Sequence, residues 1–185
     1  MGRLKGNRVY LAGAMEHPNS NGGIDWRQYA KKKLWELELG VIDPTDSPLL
    51  DSENLETPEK RQQVLEWKKS GEYDKVKQHY KTICLADIRL VELSNFLICY
   101  LDITQYPCGT YDETFFAASQ KKPVLIVCPH RKSEVPNWLW GRLKHELFFQ
   151  SIDECIEYLK RVDEGLEPTL NRWVFFNYDK LYGTK

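Results

Sequence analysis

The chain carries almost no net charge. Its 185 residues hold 26 Lys and Arg against 27 Asp and Glu, a balance of −1, so no global basic field draws it to nucleic acid or to an acidic membrane. The local basic runs, Lys31-Lys32-Lys33 and Lys121-Lys122, adjoin helix ends or faces and read as solvated surface. Long apolar runs are absent too: none approaches the roughly 20 residues of a membrane span. The opening stretch, MGRLKGNRVYLAG, passes straight into a β-like run without the apolar core of a signal peptide, and Gly6 stands where a myristoylation signal needs Ser or Thr. Cysteine is sparse. Cys84, Cys99, Cys108, Cys128 and Cys155 are odd in number and form no CxxC pair, which suits reduced thiols in a cytoplasmic protein, bacterial or in a phage-infected host. The four histidines are equally dispersed; Cys128 and His130 have no second ligand pair, so no metal site is expected.

What remains, 42% hydrophobic and 29% charged residues, describes one soluble globular domain spanning residues 1–185. Residues 9–14 (VYLAGA) form a short apolar β run ending near Gly13. A Gly- and Asn-rich loop follows. Residues 26–39 then place Tyr29, Ala30, Leu34 and Leu37 at helical spacing, with Gly40 as the stop. VIDP at 41–44 is a brief second strand closed by proline. Thr57-Pro58-Glu59 supplies an N-cap and a first-turn proline for a helix running toward Ser94, broken around Ser70-Gly71. The part at about 58–82 exceeds what a minimal fold needs and is read as a helical insertion.

FLICYL at 96–101 is continuous and apolar, as a strand covered on both faces should be. A helix is expected over 110–120, a buried strand over 124–128, a short helix over 138–145 and a fifth strand over 147–149. Ser151-Ile152-Asp153-Glu154 is a capping box before another helix. The tail at about 168–185, containing RWVFFNYDKLYG, is aromatic enough to add an edge strand or to pack on a neighbouring subunit. Alternating strands and helices predict an α/β fold: a three-layer, doubly wound, mostly parallel five-stranded sheet of flavodoxin or Rossmann type. Such sheets bind ligands beyond the carboxyl ends of their strands, at the switch point. That singles out the loop after Gly13, the helix before the third strand, and the loop from Asp102 to Gly109.

Within GTYDETFFAASQKKPVLIVC, Glu113 has two readings. Thr110 through Glu113 fit a capping box, with Thr110 as N-cap and Glu113 reaching back, and both Asp112 and Glu113 suit a helix N-terminus. Gly109 then allows a tight turn. On the fragment alone the cap is favoured.

The wider pattern, VYLAGA, Asp25-Trp26-Arg27, VIDP, LADIRLVELSNFLICYLD and GTYDETFFAASQKKPVLIVC in that order, resembles the nucleoside 2-deoxyribosyltransferase family and the related nucleotide N-hydrolases. The resemblance covers most of residues 8–128. It implies Glu113 as the nucleophile, Asp87 as the acid that protonates the leaving base, and Tyr10 as the residue orienting the nucleophile. It implies substrate contacts from the region of Gly13, Asp25, Arg27, Asp102, Gly109 and Thr110; His17 lies in the same loop, and Trp26 is expected to pack. No cofactor is implied. The partners implied are a deoxynucleoside or deoxynucleotide, a free nucleobase and further copies of the chain in a homo-oligomer, with no nucleic acid polymer.

The chemistry is coherent in its own right. Breaking an N-glycosidic bond builds positive charge at the anomeric carbon, which one carboxylate captures while a second acid protonates the base. The two carboxyls need different environments. Glu113 beside helix amides is expected to stay ionised, and Asp87 in a less hydrated setting to hold its proton. One position departs from the family pattern: Pro107-Cys108 stands where many members carry an acid that contacts the sugar, with Asp102 as a candidate substitute. Loss of that acid favours a 5′-phosphate near Gly109-Thr110, hence a nucleotide N-hydrolase as the rival activity. A non-catalytic nucleotide-binding domain is the third reading.

Overall fold

The computed structural model describes residues 2–15, 24–51, 54–105, 107–168, 172–177, 180 and 183; His17 falls outside them. Five strands form one sheet: β1 (Arg8–Gly13), β2 (Gly40–Ile42), β3 (Phe96–Tyr100), β4 (Val124–Val127) and β5 (Phe148–Phe149). Every pairing is parallel and the order is β2-β1-β3-β4-β5, the doubly wound flavodoxin-type arrangement. Chain order reverses between β1 and β3, so the crevice above their carboxyl ends is where a ligand is expected.

Among the described residues there are six α-helices: α1 (Ile24–Glu36), α2 (Pro58–Ser70), α3 (Tyr73–Leu93), α4 (Cys108–Ser119), α5 (Asn137–Arg142) and α6 (Ile152–Glu164). Successive strand residues point to opposite faces. Val9, Leu11, Phe96 and Ile98 meet Ala30 and Leu34 of α1 and Cys155, Ile156 and Leu159 of α6. Tyr10, Ala12, Leu97 and Cys99 meet Leu90 and Val91 of α3, Ala117 and Ala118 of α4, and Leu139 of α5. This alternation aims Tyr10 at the face carrying α3 and α4.

The caps follow the sequence closely. Thr57 accepts from the Lys60 amide, Pro58 opens α2, and Gly71 closes it in the left-handed region at φ 78°. Ser151 accepts from the Glu154 amide. Three expectations need correction. Gly40 does not stop α1; the helix ends at Glu36, Glu38 takes the left-handed conformation at φ 55°, and Gly40 opens β2. The expected insertion boundary near 82 falls inside α3, which runs unbroken for 21 residues.

The tail, finally, supplies no edge strand among its described residues. Residues 172–177 carry no strand pairing. Trp173 packs on Phe96 with ring centroids 5.0 Å apart, its indole N–H donates to the Tyr158 hydroxyl, and Phe175 stacks beside it. Arg172 donates to the carbonyls of Ala118 and Lys122. Trp173 and Phe175 are half-buried against the chain's own core, which is the cheaper use of aromatic surface when a hydrophobic face is within reach.

Candidate active site at the β1–β3 switch point

A cleft lies at the switch point, lined by Gly13 to Met15 after β1, by Glu56, by Tyr80, Ile83, Cys84 and Asp87 of α3, and by Pro107, Gly109, Thr110 and Glu113 at α4. Of the expected catalytic residues, Glu113 and Asp87 line it together, and Tyr10 lies directly behind Glu113.

Glu113 is not a helix cap. Pro107 takes the N-cap position without a side-chain hydrogen bond, and its carbonyl accepts from the Tyr111 amide at 2.9 Å. The helix therefore starts two residues earlier than its sequence suggests. Thr110 becomes its third residue and Glu113 its sixth, one turn beyond the open amides. Thr110, Glu113, Thr114, Ala117 and Ala118 form its buried stripe. The Tyr10 hydroxyl donates to Glu113 Oε1 at 2.6 Å, fixing one carboxyl oxygen and leaving the other for chemistry.

Glu113 is only 7% exposed. Burial pushes its carboxyl up to about 8; the Tyr10 hydrogen bond opposes this, while the charge of Asp87 adds to it. The expectation that helix amides keep Glu113 ionised is thus overturned, because the residue lies past the first turn and in a desolvated pocket. Tyr10, fully buried, is itself held well above the ordinary tyrosine range, first by burial and then by the adjacent Glu113.

Asp87 sits in the C-terminal half of α3, not at a helix start. It too is 7% exposed, and among the described residues its Oδ1 has no hydrogen-bond partner. Burial, reinforced by the charge of Glu56, raises it to about 7. Desolvation with no donor at Oδ1 favours the protonated form, less strongly than at Glu113. The two carboxyls thus titrate close together around neutrality. Between those values the pair holds about one proton, giving one group able to donate and one able to attack.

The other expected substrate residues divide. Gly13, Gly109 and Thr110 line the cleft. A Cβ on Gly13 would stand 2.8 Å from the Trp26 ring and 3.3 Å from the Tyr100 carbonyl oxygen, so glycine there is required by close approach. Gly109 has no such constraint: a Cβ would meet nothing within 4 Å, and the tight turn expected of it does not exist.

Asp25 is exposed on the first turn of α1 and does not line the cleft. Asp102 accepts from the Thr104 amide and hydroxyl and lies 3.2 Å from His130 Nε2. Burial alone would raise its carboxyl, but these hydrogen bonds outweigh it and hold Asp102 below the usual range. It braces the loop after β3 instead of lining the cleft. Arg27 does not reach the cleft surface either. It is completely buried; its Nη2 donates to the Gly13 carbonyl at 2.8 Å, and its guanidinium lies over Trp26, which stacks on Tyr100 at 4.9 Å.

Glu56, Tyr80 and Cys84 also line the cleft and were not anticipated. For the latter two the signal was present: Tyr80, Cys84 and Asp87 recur at i, i+4 and i+7, one face of a helix. Glu56 lies just before the Thr57 cap and carries no such signature. Among the described residues no group of three or more His, Cys, Asp or Glu is disposed to hold a metal ion, and no helix is long and apolar enough to cross a membrane.

No family model matches the sequence, and no curated protein matches it. Solved structures do. A 2-deoxyribosyltransferase from Bacillus psychrosaccharolyticus superposes with a TM-score of 0.53 at 14% identity, over 91% of this chain and 97% of that one. The fold is shared with that enzyme. A conserved protein from Enterococcus faecalis fits with a TM-score of 0.58 at 15% identity, over 85% and 99% of the two chains. A CMP N-glycosidase from Clostridium botulinum gives a looser superposition, with a TM-score of 0.46 at 16% identity over 86% and 100%. The resemblance drawn from the motifs of β1, β3 and α4 therefore holds for the fold.

Proposed function

We propose that the chain is a nucleoside 2-deoxyribosyltransferase. The observation that carries this reading is the joint placement of Glu113 and Asp87 in one cleft at the switch point, with Tyr10 hydrogen-bonded to Glu113. In the reacting form Glu113 is ionised and Asp87 protonated, the minority arrangement of the shared proton because Glu113 is raised further than Asp87. The free Glu113 carboxylate oxygen attacks C1′ of a 2′-deoxynucleoside as the C1′–N bond breaks, and Asp87 transfers its proton to the departing base. The product is a deoxyribosyl ester of Glu113. A second base then attacks C1′ through a ring nitrogen, the ester bond breaks, Glu113 leaves as carboxylate, and the nitrogen's proton returns to Asp87. No metal or organic cofactor enters the scheme.

One feature favours a second activity. The first turn of α4, with Gly109 and Thr110, opens into the cleft, and Pro107-Cys108 stands where the family pattern expects an acid that contacts the sugar. Helix N-termini favour anions, so 5′-monophosphates with water as acceptor are the rival substrates. Incubation with deoxynucleosides and their monophosphates, with and without a second free base, separates the readings. Base exchange supports the transferase; base release from monophosphates without exchange supports the hydrolase. If neither is seen, while a deoxynucleoside still binds by calorimetry, the non-catalytic domain is the better description. Mass spectrometry of quenched reactions should find one deoxyribosyl group on the peptide holding Glu113. Size-exclusion chromatography tests the proposed homo-oligomer.

A further inference from the structure

We propose that the groove between α2 and α3 is a phosphate-binding annex of the cleft, in which Arg61 and Lys68 hold the tail of a nucleoside di- or triphosphate. The inference rests on the proposed action on nucleosides for the identity of its ligand, but not for the annex itself.

Pro58, Arg61, Gln62, Leu65 and Lys68 line the groove from α2, and Tyr80 closes it from α3. The five recur at i, i+3, i+4, i+7 and i+10, so one face of α2 is turned to the groove. Tyr80 also lines the cleft, which makes it a wall common to both recesses. Arg61 is tied to the cleft as well: its Nη1 donates to the carbonyl of the cleft-lining Met15 at 2.5 Å. Lys68 Nζ lies 5.9 Å from the centre of the Tyr80 ring. Both cations thus stand where the groove meets the cleft.

None of the residues lining the groove is acidic. Elsewhere the chain answers its cations with carboxylates: Lys5 with Glu38, Lys31 with Asp43, Arg89 with Glu92 and Arg161 with Glu167. Among the described residues no such ion pair forms at Arg61 or Lys68, whose side-chain contacts are Met15 and Tyr80. The acids of α2 are engaged otherwise. Glu66 accepts from Gln62 at 3.3 Å, and the exposed Glu59 is hydrogen-bonded at Thr57, with the Arg61 charge a lesser influence. The helix carries Lys60, Arg61, Lys68 and Lys69 against those two acids, in a chain of net charge −1. The charged residues lining the cleft are the reverse, Glu56, Asp87 and Glu113, so the sign changes on passing Tyr80. An arginine fork with N–H donors beyond the one given to Met15, beside a lysine ammonium, suits a phosphate. Tyr80 precedes Asp87 by seven residues of α3, about 10 Å along the helix. A lone 5′-phosphate does not cover that span; a tail of two or three phosphates does.

The test is calorimetry on the full chain carrying Glu113→Gln, so that no ligand is consumed. Each common deoxynucleoside is compared with its 5′-triphosphate, and inorganic pyrophosphate is titrated alone. The triphosphate should bind roughly tenfold tighter than its deoxynucleoside or better, and more so at low salt. Arg61→Gln together with Lys68→Gln should erase that gain and leave deoxynucleoside binding unchanged. Lys68→Gln alone spares the contact of Arg61 with Met15 and should erase part of the gain; it carries the test should the double variant not fold. Pyrophosphate bound by the parent chain and lost in the variants, without a gain for triphosphates, supports the annex and assigns it to free phosphates. Binding of neither phosphate, or a gain that survives in the variants, overturns the inference. Absence of turnover in wild type with the gain intact would count against the proposed function alone.

Discussion

Two carboxyls on either side of β1 are buried almost equally and behave in opposite ways. Asp43, 5% exposed, lies behind the strand. Burial alone would raise it, but Lys31, the amide and hydroxyl of Thr45, and then Arg27 outweigh that effect and hold it below the usual carboxylate range. Glu113, 7% exposed, lies in front; it has a single hydrogen bond from Tyr10, faces Asp87, and is pushed up to about 8. Burial does not decide protonation. The number and charge of the donors do. Behind the strand the chain spends two cations and a threonine on one acid; in front it withholds them from two acids, and groups left wanting a proton near neutrality are those fitted to acid–base and nucleophilic work.

The strongest way to break this contrast is Glu113→Gln. The amide oxygen still accepts from Tyr10, so the packing survives, but the nucleophile is gone. Base release or exchange should fall by roughly 10³-fold or more, measured by chromatography of the free base. Asp87→Asn removes the donor while keeping the shape, and should cost about 10²-fold, more for bases that leave poorly without a proton.

The contrast sharpens when turned into stability. Glu113 has a raised value when folded, so its contribution is fully present below its ordinary range and is lost as pH rises through about 8. Asp43 has a lowered one, so its contribution is present above its ordinary range and is lost as pH falls through the folded value. Thermal melts should therefore find Glu113→Gln gaining on wild type between pH 5 and pH 9, on the order of 2 kcal/mol. Asp43→Asn should be most destabilised near neutrality and least in acid. The smallest effect concerns rate against pH. The singly protonated pair peaks between the values of Asp87 and Glu113, about 7 and about 8, so kcat/KM should fall about tenfold per pH unit beyond either side.

Much of the fold was legible because its signals are local. β3 and β4 are continuous apolar runs, and Thr57 and Ser151 are caps whose chemistry acts within three residues. The pair Glu113 and Asp87 was reached through motif order, since nothing local joins residues 26 positions apart on two helices. Where the reading failed, a distant contact won. The capping-box pattern at Thr110 yielded to a helix closed on the Pro107 carbonyl, because Glu113 is drawn inward to Tyr10, 103 residues away in sequence. Arg27 was expected among the substrate contacts, and its burial could not be foreseen because an acceptor that holds it, the Gly13 carbonyl, is a backbone atom without a sequence signature. The aromatic tail looked like a strand, and only the sheet face around Phe96 shows why it is not.

Gly109 leaves the molecule with an adjustable dial. Since no backbone strain demands glycine at that place and nothing crowds its missing side chain, alanine, serine or a larger residue could be installed at little expense to the scaffold, each narrowing the mouth of the hollow by a known increment. A protein so built can have the width of that opening reset at one codon, while the acids beneath keep their places.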